Sequence, residues 1–190
     1  MPQTLNLGTL RTEERILLKN LQKMENLNRT NSNQEQLSVI SLKSATIDDL
    51  PTLLKLEQSV SGTNLYSPML EEEEWKEELS KNHVFLIENQ NQIIGNISYE
   101  KKNPEHVYIS GLVIDPTFQS KGFGKKALLT LLEELKDVDR VDLVTHPDNI
   151  NALKLYQSLG FMVESRKENY FDDGEPRITL ALVKTGKTIK

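Results

Sequence analysis

Val113-Ile-Asp-Pro-Thr-Phe-Gln-Ser-Lys-Gly-Phe-Gly-Lys-Lys-Ala-Leu-Leu129 joins an apolar strand to an amphipathic helix through a turn rich in backbone donors. Gly122 and Gly124 permit backbone conformations that aim successive N–H groups at one point, where the following helix begins with the positive end of its dipole. An anion, above all a pyrophosphate, belongs at that point. Spacing separates the phosphate-binding patterns. Gly122-Phe-Gly124-Lys-Lys-Ala127 formally satisfies the dinucleotide fingerprint G-x-G-x-x-A. That fingerprint follows the first strand of a parallel unit directly, whereas here Asp115 to Lys121 intervene. A P-loop requires Gly-Lys-Ser/Thr where this chain has Gly124-Lys125-Lys126.

A third pattern, Gln/Arg-x-x-Gly-x-Gly/Ala, is met by Gln119-Ser120-Lys121-Gly122-Phe123-Gly124, preceded by Leu112-Val-Ile-Asp-Pro116. Downstream stands Asn149-Ile-Asn-Ala152-Leu-Lys-Leu155-Tyr156-Gln-Ser-Leu-Gly160-Phe161. By its residues alone this is a short core helix, with Asn149 able to cap it, Ala152, Leu155 and Leu159 at helical spacing, and Gly160 placed to end it. Together and in this order, the two motifs resemble those of the GNAT superfamily of N-acetyltransferases, the first its acetyl-CoA loop and the second its N-x-x-A-x-x-L-Y-x-x-x-G-F signature.

The resemblance implies an α/β fold with a mixed, mostly antiparallel seven-stranded sheet, splayed at its centre and flanked by helices. It also implies acetyl-CoA as cosubstrate. The pantetheine arm would pair with backbone groups of Leu112, Val113 and Ile114, and its pyrophosphate would lie on Gln119, Ser120, Lys121, Gly122, Phe123, Gly124 and Lys125. Asn149 would bond the arm from the other side. Tyr156, in the L-Y position of the signature, would serve as acid to the departing thiolate, whose conjugate thiol titrates near ~8.5.

The base is not carried over. In the N-terminal-amine branch a glutamate often lies five residues before the motif asparagine, and that position here is Val144. His146, Tyr108, Glu100 and Glu105 are replacements the sequence does not choose among. Lys167-Glu-Asn-Tyr170-Phe-Asp-Asp-Gly-Glu-Pro-Arg177 resembles the hairpin near the peptide site of the ribosomal-protein alanine acetyltransferase branch. This points to a primary amine acceptor, a peptide N-terminus or else a small amine, acetylated by direct transfer in a ternary complex. A noncatalytic acyl-CoA-binding regulatory module is the alternative that Val144 keeps open.

With 190 residues, 37% of them hydrophobic, the chain is long enough for one well-buried domain and an appendage. It has no cysteine, and His83, His106 and His146 lack metal-ligand spacing, so no metal is indicated. The net charge of −5 argues against a nucleic-acid partner, since phosphate neutralisation needs a concentrated basic surface. No stretch has the length of a membrane span or the order of a secretory signal, so the expected location is cytoplasmic.

Periodicity divides the chain into an extension at 1–36, a domain at 37–186 and a tail at 187–190. Leu10, Leu17, Leu21 and Met24 share one helical face in the extension, and Asn28 to Gln36 reads as a polar linker. That stripe either packs on its own domain or engages a partner, which leaves a homodimer open. Strands are expected at 37–44, 83–89, 92–101, 105–114, 140–146, 161–169 and 176–184, with helices at 47–58, 70–80, 122–136 and 149–159. Glu71 to Glu74 suit a first helical turn, where carboxylates complement the dipole.

Overall fold

The computed structural model describes residues 39–184. The 1–36 extension and the 187–190 tail lie outside them. Seven strands are present: β1 (Ser41–Ser44), β2 (His83–Asn89), β3 (Gln92–Asn103), β4 (His106–Ile114), β5 (Arg140–Thr145), β6 (Met162–Lys167) and β7 (Arg177–Val183). Among the described residues four helices join them: α1 (Leu50–Val60), α2 (Glu72–Lys81), α3 (Phe123–Glu134) and α4 (Ile150–Ser158). The expected strand at 37–44 is shorter, and helix formation after Thr46 begins with a 3-10 turn at Ile47–Asp49. Thr46 and Asp49 form its capping box, with the Thr46 N–H donating to Asp49 Oδ2 at 2.9 Å.

The strands form one sheet in the order β1-β2-β3-β4-β5-β7-β6. All neighbours are antiparallel except β4 and β5. That parallel ladder runs from His106↔Arg140 to Ile109↔Leu143 and stops. Ser110–Ile114 continue beside β3, and Val144–Thr145 continue beside β7, so the sheet opens between them. The expected central splay is therefore part of the fold.

A bulge at the opening sets the direction of β4. Ser98 pairs with Gly111 and Tyr99 with Ile109, which leaves Ser110 as the extra residue. Its insertion changes the phase of the strand. Val107 and Ile109 face one core before it, and Leu112 and Ile114 face the same core after it. That core lies under α3 and α4 and holds Leu128, Leu131, Leu143 and Phe161. Val113 faces the opposite core, made by Leu53, Leu56, Trp75 and Leu86 under α1 and α2. Helices thus cover both faces of the central strands, while β6 at the sheet edge is exposed along its whole length.

Turn chemistry follows the residues. Gln90 and Asn91 both take left-handed backbone (φ 51° and 62°), closing the β2–β3 hairpin with the twist that two-residue turns require. In α2, Glu71 and Glu74 form a capping box and Lys76 lies 2.6 Å from Glu73, so the carboxylate run serves the helix.

Candidate functional site

The opening between β4 and β5 leads into a cavity of about 660 Å³. One wall is the Ser110–Ile114 edge, and the facing wall includes Val144, Thr145 and His146. The turn after β4 closes one end. There Asp115 Oδ1 accepts from the Thr117 N–H at 2.8 Å, and the Gln119 side chain donates to the Ile114 carbonyl at 2.8 Å. Ser120 (φ 62°) and Gly122 (φ 82°) both adopt left-handed backbone, and Gly122 is the N-cap of α3.

The first helical N–H groups, those of Phe123, Gly124 and Lys125, have no helical carbonyl before them to bond. They stand at the cavity wall, which is the arrangement expected of an anion cradle. Two details differ from the sequence reading. Gly124 is helical and uses no special φ; a Cβ there would meet Ile114 Cγ1 and Leu155 Cδ2 at an ordinary 3.7 Å. Its partner in turning the backbone is Ser120 instead. Lys121 folds back on the turn, donating to the Thr117 carbonyl at 2.7 Å with its ammonium 5.2 Å from the Phe118 ring. Lys125 is the lysine of the loop that lines the cavity.

Asn149 caps α4, its Oδ1 accepting from the Ala152 N–H at 3.2 Å, and it also lines the cavity. The cap uses the carbonyl oxygen, so the amide NH2 remains a donor. Tyr156 projects from the same helix and is 8% exposed. Its ring packs 5.9 Å from that of Phe161. Burial, with Tyr66 adding a smaller effect, pushes the phenol up to about 12. It is a neutral donor throughout the physiological range.

Beyond this end the cavity is shaped by residues 61–71, for which the sequence offered no motif, and by residues 168–176, within the hairpin that the sequence resemblance singled out. They are tied together. Asn64 donates to Glu175 Oε1 at 2.9 Å, Ser67 to Asp173 Oδ2 at 3.2 Å, and Arg177 to Asp173 Oδ2 at 2.7 Å and to the Ser67 hydroxyl. Arg177, 2% exposed, also lies 5.4 Å from the Phe171 ring, so one cation organises the wall.

Of the four replacement bases, only His146 lines the cavity. Its Nδ1 accepts from the Asp148 N–H at 3.1 Å, which puts the proton on Nε2, 3.2 Å from Glu175 Oε2. Both ring nitrogens are therefore engaged. Tyr108 lies beside Tyr170, and its pKa is raised by burial and by that neighbour. Glu100 is occupied by Lys102, and Glu105 is exposed at the β3–β4 turn.

The sequence reading missed Glu57. It is 5% exposed on α1 and lines the cavity. Asn96 donates to its Oε1 at 3.3 Å, and the Met69 backbone also hydrogen-bonds the carboxylate. Desolvation raises its pKa from 4.5 to about 7, outweighing these hydrogen bonds. A local signal existed: Leu50, Leu53, Leu56 and Val60 form the apolar stripe of α1, and Glu57 stands within it. The bulge was also missed. Ser110 donates to Glu78 Oε1 at 2.7 Å, which assigns the 2.8 Å contact between Ser98 and Ser110 to a Ser98 donor and anchors the bulge to α2.

Comparison with known proteins agrees with this architecture. Residues 50–161 match the model of the acetyltransferase (GNAT) family. N-alpha-acetyltransferase 30 of Xenopus laevis is 35% identical over 94 residues, which cover 47% of this chain and 34% of that protein. The chain thus spans about a third of the length of that curated relative. The solved ribosomal-protein-S18-alanine N-acetyltransferase of Escherichia coli superposes with a TM-score of 0.68 at 22% identity, over 80% of this chain and 99% of that one. A GNAT acetyltransferase of Elizabethkingia anophelis, solved with acetyl-CoA bound, gives 0.63 at 19% identity, over 76% and 98%. At these identities the structural likeness concerns the fold. Since the family model accounts for more than half of the sequence, the chain belongs to the acetyltransferase (GNAT) family.

Proposed function

We propose that the protein is an acetyl-CoA-dependent N-acetyltransferase acting on a primary amine, with a peptide N-terminal α-amine as the favoured acceptor. The observation that carries this reading is the junction of an open sheet edge at Ser110–Ile114 with a left-handed turn and helix N-terminus at 120–125, both on one cavity. Such a site fits a ligand that is strand-like along one part and anionic at one end.

In this reading the backbone of Leu112, Val113 and Ile114 pairs with the pantetheine arm. Backbone N–H groups from Ser120 to Lys125 hold the pyrophosphate, that of Gln119 being bonded to the Pro116 carbonyl, with the Lys125 side chain adding charge. Gln119 braces the turn through Ile114, Ser120 and Gly122 set its direction, and Phe123 anchors it in the core. Asn149 donates its amide to the arm. Acetyl-CoA supplies a thioester carbonyl with a stable leaving group. Tyr156 donates a hydrogen bond to the sulfur as negative charge develops there; with its pKa about 12, it stays protonated while doing so.

A protein N-terminus is favoured because N-alpha-acetyltransferase 30 and the S18-alanine N-acetyltransferase are named for that reaction. The 61–71 and 168–176 segments would frame the acceptor. The expected compartment is the cytoplasm; among the described residues no helix is long and apolar enough to cross a membrane.

Calorimetry with acetyl-CoA on the full chain tests the cofactor assignment, and no detectable binding by a folded sample would refute it. Acceptor-dependent CoA release across a panel of N-terminal peptides and small amines, read by mass spectrometry, then identifies the amine. The noncatalytic alternative draws on Val144 standing where the branch has a glutamate. Tight acetyl-CoA binding with no acceptor-dependent release would favour it.

A further inference from the structure

Val144 leaves the acceptor side without the expected carboxylate, yet the cavity contains another one. Glu57 enters from α1, on the opposite side of the sheet from α3, through the α1–α2 core. We propose that Glu57 is the general base that takes the proton from the acceptor amine. The proposal rests on the acetyltransferase reading above and deepens it.

Three observations hold the carboxylate in place. Asn96 pairs with Val113 across the β3–β4 ladder, so its amide brings Glu57 beside the strand proposed to carry the pantetheine arm. Met69 bonds Glu57 through its backbone, while the Met69 carbonyl accepts from Trp75 Nε1 at 3.1 Å. Trp75 is fully buried, so the loop that caps Glu57 is pinned by the core itself. Burial without a cationic partner is the third. No salt bridge to Glu57 exists among the described residues, and its hydrogen bonds come from neutral donors. A structural carboxylate at 5% exposure is ordinarily paired, because an unpaired buried charge is costly. Its raised pKa of about 7 fits a base working near neutrality.

The other titratable or charged groups on the cavity wall are Tyr66, Lys125, His146, Tyr156 and Arg177. His146 and Arg177 are engaged with Glu175 and Asp173, and Tyr156 is neutral. Glu57 is thus the one wall carboxylate that belongs to no ion pair among the described residues.

The amine nitrogen bonds to the acetyl carbon, and the carbon–sulfur bond breaks with its electron pair remaining on sulfur as a thiolate hydrogen-bonded to Tyr156. The amine proton passes to Glu57, directly or through one water, and from there to solvent.

The test compares wild type with Glu57→Gln, using acetyl-CoA and the best acceptor from the peptide panel. The expected result is an acidic limb near pH 7 in the wild-type kcat profile, and in the variant a kcat lowered by about 100-fold with unchanged acetyl-CoA affinity and that limb gone. A kcat within about threefold of wild type, an intact limb, or a rise confined to the acceptor KM would overturn the base assignment while leaving the acetyltransferase intact. Wild type that binds no acetyl-CoA would overturn both. Should Glu57→Gln misfold, Glu57→Asp decides: a slower enzyme that keeps an acidic limb supports the base, and one without a limb rejects it.

Discussion

The side-chain amide of Gln119 reaches back five residues to the carbonyl of Ile114, at 2.8 Å, and so fastens the turn proposed as the anion cradle to the end of β4. That turn and the open strand edge are thereby one piece, which matters because the proposed ligand would engage both at once. Gln119→Ala removes a bond worth about 1 kcal/mol, so acetyl-CoA affinity is expected to fall about fivefold with little change in melting temperature. Calorimetry reads the first and a thermal melt the second; an unchanged affinity would show that the brace is dispensable.

Three glycines in the same region should respond differently to alanine. At Gly95 an added Cβ would lie 2.2 Å from the Val113 carbonyl oxygen, a backbone atom that cannot swing aside. Gly95→Ala is expected to destabilise by about 3 kcal/mol, as overpacking does. Gly122 has open space around it but φ of 82°, so Gly122→Ala should cost about 1 kcal/mol. Gly124→Ala should be neutral or stabilise by up to about 1 kcal/mol, since the position is helical. Urea unfolding ranks the three, and a Gly124 variant as damaged as the Gly122 one would contradict the order.

Tyr156→Phe keeps the ring against Phe161 and removes only the hydroxyl. Turnover should fall about 100-fold while acetyl-CoA affinity stays within about twofold, the pattern of a contact made in the transition state. Stopped-assay turnover set beside calorimetry checks it, and equal losses in both would reassign the hydroxyl to binding.

Glu57 also predicts a pH dependence of stability. Its folded pKa, about 7, lies above its ordinary 4.5, so between those values the folded chain holds the proton more tightly than the unfolded chain does. This contribution is fully present below pH 4.5, falls as pH rises through 7, and then levels off, amounting to about 3 kcal/mol. Glu57→Gln should match wild type near pH 4.5 and exceed its stability at pH 8. Unfolding at the two pH values measures the difference, and a Gln variant no more stable at pH 8 would exclude the effect.

Arg177 joins the segments proposed to frame the acceptor. Arg177→Met loses the bonds to Asp173 and Ser67 while keeping an apolar stem beside Phe171. An acceptor KM about tenfold higher, equivalent to about 1.4 kcal/mol, is expected with acetyl-CoA affinity unchanged. Steady-state kinetics with each substrate varied in turn separates the two, and an effect on acetyl-CoA alone would contradict the assignment.

The elements and their order were legible because each carries a local pattern. Alternation identifies β2 to β5, the Asn149 cap and Gly160 (φ 91°) bound α4, and Asn89-Gln-Asn91 marks a hairpin. The turn after β4 was legible for the same reason, being a contiguous segment whose glycine at 122 takes the positive φ that the pattern anticipated. The reading also gave that role to Gly124, although its expected helix at 122–136 already contained that residue; the helix starts at Phe123, Gly124 is ordinary helix within it, and Ser120 is the second left-handed residue.

The sequence by itself determined the family motifs, the order of strands and helices, and the turn proposed to face an anion, because those depend on neighbours along the chain. Tertiary structure alone decided the cavity wall proposed for the acceptor. Glu57, Met69 and Asn96 come from a helix, a loop and a strand, and Arg177 meets Ser67 across 110 positions of sequence. Their chemistry arises from desolvation and from contact between distant segments. Glu57 within the apolar stripe of α1 gave a hint of this, but only folding fixes how much water a carboxylate loses and which groups stand in its place.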